Sequence, residues 1–282
     1  MVSARLNHRL RTGGTGAFFW LAALSVTLFF IFPVYWMFAS AFKSDEVSSQ
    51  FPPVFLFSPT TVNFAKLFTE LGAGEAMVNS MFIVSLATLL AMIAGTMAAY
   101  ALARFPLAGK NALALEVLSI RMLPPIVSVI PLFIIARFLG VFDTPWLLIA
   151  VYALTGLPFV VWIMRVFIQD IPQSVEEAAM IDGCGRIEAF ARVTLPLLLP
   201  GLAATMVIVF MFAWNEFLLA SLLTSSEAKT LPVIAANAIK PKAIAFGLAC
   251  AAGVVMSLPV IVLVLMMQRY LVQGLTLGAV KG

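Results

Sequence analysis

Charged side chains are scarce in this sequence of 282 residues. Asp, Glu, Lys and Arg make up 11% of it, whereas soluble domains carry roughly a quarter. Hydrophobic residues make up 62%, and the mean hydropathy is +1.07. So little polar surface cannot cover a water-facing globule, which excludes an ordinary soluble enzyme and indicates that lipid is the main solvent. The net charge of +4 is scattered rather than clustered with aromatic residues, so nucleic acid is not an expected partner.

Cysteine and histidine are almost absent. Cys184 falls in a polar stretch and Cys250 in an apolar one, so a disulfide between them is not expected. The single histidine, His8, lies in a basic stretch before the first apolar run. A zinc or transition-metal site needs several such side chains together, so we expect no bound metal.

A phosphate-binding loop is missing as well. No G-x4-G-K-[ST] pattern occurs, and Gly109-Lys110 lacks the preceding glycine. The longest gaps between apolar runs, residues 43–78 and 168–196, are too short to bury a core of their own. We therefore predict that the chain is not an enzyme, binds no cofactor itself and forms a single domain over residues 1–282.

Six long apolar runs make up most of the chain. A helix needs about 20 apolar residues to cross a bilayer, and an open chain in lipid satisfies its backbone only as helix. The first run is longer than the apolar core of a signal peptide, about 7–15 residues, so we predict that it is retained. The predicted fold class is all-α, a polytopic membrane protein with six transmembrane helices. The predicted spans are 17–42, 79–103, 113–139, 145–167, 197–223 and 244–270.

The placement of Arg and Lys predicts the orientation of these spans. Arg5, Arg9 and Arg11 precede the first span, and further basic residues follow the second, fourth and sixth spans. Cytoplasmic connections carry the excess of Lys and Arg. We therefore predict that both termini, the 168–196 connection and the tail 271–282 are cytoplasmic.

The connection before the fifth span has the pattern of a helical hairpin. Ser174 followed by Glu177 reads as a capping box, which predicts a helix start at Ser174. Gly183 is placed to end that helix in the left-handed conformation. A second short helix is predicted from Arg186 to about Thr194, before Pro196 and the next span.

This hairpin matches six of the seven fixed positions of a known signature. Glu177-Ala178-Ala179, then Gly183, then nine residues to Val193-x-Leu195-Pro196 resembles the EAA signature of ABC importer permeases, E-A-A-x3-G-x9-I-x-L-P, with Val193 in place of Ile. In that family the loop docks into a cleft on the ATP-binding subunit. The resemblance therefore implies ATPase-coupling roles for Glu177, Ala178, Ala179, Asp182, Gly183, Val193, Leu195 and Pro196.

The resemblance extends from about Phe32 to Gly282 and is specifically to the MalG-type subunit of carbohydrate importers, with a type I importer permease fold. It includes AAYALARF at Ala98–Phe105, RMLPPIVSVIPLF at Arg121–Phe133 and FAWNEFLLA at Phe212–Ala220. The tail QRYLVQGLTLGAVKG is similar to a family tail that enters the interface between the ATP-binding subunits. That likeness implies interface roles for Gln273, Gly274 and Lys281.

The resemblance also implies a set of partners. These are a second, non-identical permease, two copies of an ABC ATP-binding subunit that hold ATP and Mg, and an external substrate-binding protein. The cargo class is a disaccharide, oligosaccharide, polyol or sugar derivative, carried across a bacterial inner membrane whose lipid surrounds the chain.

Three polar residues are candidates for the substrate pathway. Asn215 and Glu216 lie roughly 27 Å along a helix that starts at Leu197, near the outer edge of the bilayer. They are expected either to line the pathway and bind sugar hydroxyls or simply to end the helix. Arg121 lies before Pro124-Pro125, which should break or kink the third span and free backbone carbonyls. It is expected either to bind those carbonyls or to contact the substrate, and an anionic sugar would suit it if it is unpaired. Glu116, one turn earlier, is a candidate ion-pair partner.

An ion-coupled secondary transporter or channel subunit is the alternative function. It requires carboxylates buried near the middle of the membrane as coupling sites. This sequence offers only Glu116 and Glu216, both near the ends of predicted spans. Sequence reasoning therefore favours the ATP-driven importer.

Overall fold

The computed structural model describes the backbone of residues 14–240 and 243–279, and the side chains of residues 18–238 and 245–269. Arg5, His8, Arg9, Arg11 and Lys281 lie outside the described residues. Gln273 and Gly274 belong to the last helix, where the structure describes the backbone alone.

Helix is the dominant structure of the described chain, so the all-α, polytopic prediction is confirmed. The helices are α1 Gly14–Ala41, α2 Asp45–Ser48, α3 Val62–Thr69, α4 Ala73–Arg104, α5 Lys110–Ser119, α6 Pro125–Phe138, α7 Pro145–Asp170, α8 Gln173–Ile181, α9 Arg186–Ala189, α10 Leu195–Leu197, α11 Leu199–Trp214, α12 Leu218–Leu223, α13 Leu231–Ala236 and α14 Phe246–Ala279. A 3₁₀ turn covers Ile120–Met122, and a π-helical turn covers Phe190–Thr194. One two-residue antiparallel pair joins β1 Ile239–Lys240 to β2 Ala243–Ile244.

Four helices of the described chain, α1, α4, α7 and α14, are long and apolar enough to cross a membrane. Two bent pairs raise the count to six if each pair forms one span. The first pair joins Lys110–Met122 to Pro125–Phe138 with a bend of 87°, and the second joins Arg186–Leu197 to Leu199–Trp214 with a bend of 75°.

The third predicted span breaks where its prolines predict. The helix stops at Met122, and α6 starts again at Pro125 with Pro124 in an extended conformation. A proline lacks the backbone N–H that would continue the preceding turn, so the break follows from the sequence. The fifth predicted span, 197–223, is wrong as one continuous helix, because α11 ends at Trp214 and α12 starts at Leu218.

The chain divides into two compact units. The first unit runs up to Glu70 and includes Ala238–Val255. In it, the amide of buried Asn63 donates hydrogen bonds to the backbone oxygens of Ala41 (2.9 Å) and Lys43 (2.6 Å). Lys43, itself buried, donates from Nζ to the Val54 oxygen at 2.8 Å, and burial lowers its pKa. These bonds fix the connection that follows α1 onto α3.

The second unit comprises Leu71–Asn237 and the chain from Met256 on. Its core forms where α4, α7 and α11 pack together, around buried Ala99, Val160 and Val209. A Cβ added at Gly95 would lie 2.6 Å from the Cβ of Val160, so glycine lets α4 and α7 approach closely. This packing fixes the end of α4, Tyr100 to Arg104, from which the candidate site is built.

A loop on the second unit is held by a single carboxylate. Asp143 accepts hydrogen bonds from the hydroxyls of Ser225 (2.6 Å) and Ser226 (3.1 Å) and from backbone N–H groups of residues 225–228. These bonds tie the α6–α7 connection to the segment after α12.

Candidate functional site

The first arm of the hairpin is α8, Gln173–Ile181. Pro172 occupies its N-cap position without a side-chain cap hydrogen bond, so the predicted capping box at Ser174 is wrong. Proline at that position holds the preceding residue, Ile171, in an extended conformation with ψ 122°. The helix therefore begins at Gln173, and Ser174 lies inside its first turn.

The turn of the hairpin has the left-handed geometry that the sequence predicts. Gly183 has a φ of +97°, a conformation that favours glycine. The N–H of Cys184 donates to the Ala179 oxygen at 3.0 Å, and that of Gly183 donates to the Met180 oxygen at 3.2 Å. These bonds satisfy carbonyl groups that the helix end leaves open.

The second arm returns to the core through mixed helical geometry. It starts as α9, continues through the π-helical turn Phe190–Thr194 and ends as α10. The predicted helix from Arg186 to about Thr194 is thus present, although its second half is π-helical. π-Helical turns often mark functional positions.

A buried ion pair anchors the hairpin to the end of α4. Arg104 Nε donates to Glu176 Oε1 at 2.8 Å, and the two side chains are only 7% and 5% exposed. Tyr100 donates from its hydroxyl to Glu176 Oε2 at 2.9 Å. The same guanidinium donates to the Ile171 oxygen at 2.8 Å. Because both carboxylate oxygens have partners, moving α8 away from α4 would separate a buried ion pair and leave its charges without partners.

Aromatic rings reinforce the anchor from the second arm. The rings of Tyr100 and Phe190 lie 4.6 Å apart between centroids. The guanidinium of Arg186 lies 4.9 Å from the ring of Phe105, within the range of a cation–π contact. Both arms of the hairpin therefore contact the last turn of α4 and the residue after it.

The opposite face of the hairpin is open. Glu177, Ala178, Asp182 and Gly183 are exposed, and so is Pro196 on the return arm. Ile181 and Ile187 are 86% and 84% exposed, which is unusual for isoleucine. Of the other residues in the signature, Ala179 is buried, whereas Val193 and Leu195 are half-buried.

Arg121 lies in the 3₁₀ turn at the break of the third predicted span. Its guanidinium carbon lies 4.4 Å from the ring centroid of Phe159 and 5.2 Å from that of Phe212. Within the part of the chain that the structure describes, it forms no ion pair with Glu116, so that expected partnership is wrong.

Glu216 and Asn215 have different environments. Glu216 accepts hydrogen bonds from the backbone N–H of Leu219 (2.8 Å), that of Ala220 (3.1 Å) and the hydroxyl of Tyr152 (3.1 Å). It caps α12 and also lines a cleft with Arg121. Asn215 is exposed and donates back to the Met211 oxygen at 2.8 Å, so it ends α11.

Sequence reasoning missed the anchor residues. Tyr100 and Arg104 lie in the AAYALARF stretch, and Glu176 directly precedes the signature, but nothing in the sequence pairs them across more than seventy positions. The sequence offered one signal for this pairing: an arginine at the end of the second predicted span and two adjacent glutamates in the connection before the fifth.

Cys184 and Cys250 are free thiols. Among the described residues, no group of three or more His, Cys, Asp or Glu side chains could hold a metal.

A multi-span helical protein with a short, anchored hairpin and one open hairpin face fits the class of membrane-embedded transport subunits. Residues 87–277 match the family of binding-protein-dependent transport system inner membrane components. The chain belongs to this family, and the sequence-based assignment to the ABC importer permeases is confirmed.

Individual relatives agree with this assignment. The chain is 38% identical over 258 residues to the trehalose transport system permease protein SugB of Mycobacterium tuberculosis, covering 89% of this chain and 93% of the relative. It is 34% identical over 272 residues to the trehalose/maltose transport system permease protein MalG of Thermococcus litoralis, covering 93% and 95%. A solved bacterial ABC transporter involved in alginate import matches with a TM-score of 0.72 and 20% identity, over 91% of this chain and 96% of that chain. At that identity the last likeness establishes the fold alone.

Proposed function

We propose that this chain is one membrane-spanning subunit of an ATP-driven importer for a sugar or sugar derivative. Membership of the family of binding-protein-dependent transport system inner membrane components supports this role. The names of two relatives, one for trehalose and one for trehalose and maltose, support a disaccharide or a related carbohydrate as cargo. Those relatives are matched along almost their whole length, which supports a shared role for the whole chain.

The buried Arg104–Glu176 pair is the observation that carries the coupling mechanism. A separate ATP-binding subunit contacts the open hairpin face through Glu177, Ala178, Asp182 and the exposed isoleucines. Because α8 is fixed to α4 by a buried charge pair, a push on that face moves the end of α4 with it. The permease helices then alternate a central pathway between the two membrane faces.

The remaining components follow from this role. A second, non-identical permease completes the pathway, and two ATP-binding subunits hold ATP and Mg and carry out hydrolysis. An external binding protein delivers the sugar. Both termini, the hairpin and the tail with Gln273, Gly274 and Lys281 face the cytoplasm, where that tail contacts the ATP-binding subunits.

Reconstitution tests this function directly. The full complex in proteoliposomes should import radiolabelled sugar only when ATP is present on the hairpin side and sugar-loaded binding protein is present on the other side. An ionophore should leave uptake unchanged. Uptake that collapses with the ionophore and ignores ATP would instead support the ion-coupled transporter.

A further inference from the structure

A small polar cleft lies at the break of the third predicted span. It has a volume of about 180 Å³ and is lined by Arg121, Tyr152, Thr155, Phe212 and Glu216 among others. Two of these side chains carry charge in or beside membrane-spanning segments, where a charge is costly unless it faces a cavity or a partner. Packing alone therefore does not explain why these two charged side chains line the cleft.

Arg121 has unused hydrogen-bonding capacity. Two aromatic rings contact its guanidinium, while no hydrogen bond or ion pair from it occurs among the described side chains of residues 18–238 and 245–269. A guanidinium carries five N–H donors in a planar fork. The ring contacts leave those donors free for a ligand.

Glu216 faces the same cleft as an acceptor. Its carboxylate already accepts three hydrogen bonds, two from α12 and one from Tyr152, so its position is fixed. A carboxylate has about four lone-pair sites, which leaves room for one more donor. Thr155 donates its hydroxyl proton to the Tyr152 oxygen at 3.2 Å and can therefore accept from a ligand.

The size and charge of the cleft limit what it can hold. One positive and one negative side chain leave it without net charge, so neither an anionic nor a cationic ligand is favoured. Free donors, free acceptors and an aromatic wall suit a ring that carries several hydroxyl groups. Pockets for drug-sized ligands measure about 300–1,000 Å³, so this smaller cleft fits a single sugar unit rather than an oligosaccharide.

We infer that this cleft is a transport subsite for one neutral, polyhydroxylated sugar ring, bound between the Arg121 guanidinium and the Glu216 carboxylate. The inference rests on the proposed function. It adds that the substrate carries no charge and that Arg121 and Glu216 contact it. Asn215, which neighbours Glu216 in sequence, is exposed and does not line the cleft, so it provides a matched control.

Cysteine protection tests occupancy of the subsite. Thr155→Cys is placed in a chain whose two native cysteines are replaced by serine. The complete complex is held with a non-hydrolysable ATP analogue and its binding protein, loaded with trehalose or maltose. Sugar should slow maleimide modification of this cysteine at least about fivefold, and Arg121→Gln should remove that protection. A cysteine at Asn215 should be modified at the same rate with and without sugar.

Transport gives the second readout. Arg121→Gln and Glu216→Gln should reduce sugar imported per ATP hydrolysed by about tenfold, the loss expected for one hydrogen bond to a charged group, whereas Asn215→Ala should not. Glutamine keeps one acceptor oxygen for the α12 cap and loses the other, so Glu216→Gln removes the charge together with one of the two cap hydrogen bonds. Unprotected Thr155→Cys with intact uptake, or a complex that imports only anionic sugars, would overturn the inference alone. A wild-type complex without ATP-dependent sugar uptake would overturn the proposed function as well.

Discussion

Two adjacent glutamates of the hairpin have opposite environments. Glu176 is buried against Arg104 and Tyr100, whereas Glu177 is exposed on the other face of α8. Successive residues of a helix point about 100° apart, so neighbours in sequence face different surroundings. Glu176 holds the hairpin in place, and Glu177 is available to a partner.

Substitution at each glutamate should separate stability from coupling. Glu176→Ala leaves Arg104 buried without its partner, so we expect a loss of about 3–5 kcal/mol of folding free energy. Glu177→Ala, at an exposed position, should change stability by less than about 0.5 kcal/mol while reducing ATP-driven uptake. The measurements are the thermal unfolding midpoint of the purified complex and its transport rate. Equal midpoints for the two variants would contradict the anchoring role of Glu176.

Asp143 should stabilise the protein in a pH-dependent way. Burial acts to raise the pKa of its carboxyl group, but hydrogen bonds from the Ser225 hydroxyl and from the N–H groups of residues 225–227 outweigh it and hold the pKa well below its usual value. A depressed folded-state pKa contributes stability above the unfolded pKa of about 3.9 and loses it as the pH falls below that value.

The Asp143→Asn variant tests this contribution. Its thermal midpoint should lie below that of the wild type at pH 7, and the difference should shrink as the pH is lowered from about 4 toward 2. Asp182→Asn, at an exposed position of the hairpin turn, is the control and should show little difference at pH 7. A constant difference for Asp143→Asn across the range would contradict the assignment.

The sequence reveals residue types but not which of two equivalent side chains is buried. The signature directs attention to Glu177, and the burial of Glu176 depends on Arg104, which lies 72 positions earlier. Likewise, the spacing of one helical turn suggested Glu116 as the partner of Arg121, yet the guanidinium contacts the rings of Phe159 and Phe212. Such pairings depend on tertiary packing, and local sequence patterns do not reveal which distant residues come into contact.

At the scale of elements, the hairpin turn depends on one of its two glycines. Gly183 has a φ of +97°, whereas Gly185 has a φ of −68°, which any residue adopts. An added Cβ would meet no atom within 4 Å at either position, so backbone conformation alone separates them.

Alanine substitution at both glycines tests the turn. Gly183→Ala should cost about 1–3 kcal/mol of local strain and weaken binding of the hairpin to an ATP-binding subunit. Gly185→Ala should be tolerated. The measurement is co-purification of the ATP-binding subunit with each variant. Equal loss in both variants would indicate that bulk at the turn, rather than the left-handed backbone, is what matters.

Element boundaries followed the sequence where proline or glycine determines the backbone. The break at Pro124-Pro125 and the end of α8 at Ile181, two residues before Gly183, are of this kind. The break between α11 and α12 was not predicted, because the sequence stays mostly apolar through Trp214-Asn215-Glu216-Phe217. There, the Glu216 carboxylate accepts from the N–H groups of Leu219 and Ala220 in place of backbone oxygens, and it also accepts from the hydroxyl of Tyr152, which lies 64 positions earlier.

At the scale of the whole molecule, the orientation in the membrane is open to a labelling test. Ile187 and Leu56 are 84% and 93% exposed, and the proposed topology puts them on opposite sides of the membrane. In a chain with its native cysteines replaced, Leu56→Cys should react with an impermeant maleimide in spheroplasts. Ile187→Cys should react only after the membrane is permeabilised. The reverse pattern would place the hairpin outside and remove its access to ATP-binding subunits.

In the proposed mechanism, the open hairpin face connects this permease to a separate ATPase. The most direct measurement is sugar imported per ATP hydrolysed by the reconstituted complex with Glu177→Lys. Glu46→Lys, which reverses a charge at an exposed position of α2, is the control. We predict that Glu177→Lys abolishes ATP-driven uptake without lowering the unfolding midpoint and that Glu46→Lys transports like the wild type. Wild-type uptake by Glu177→Lys would contradict the account.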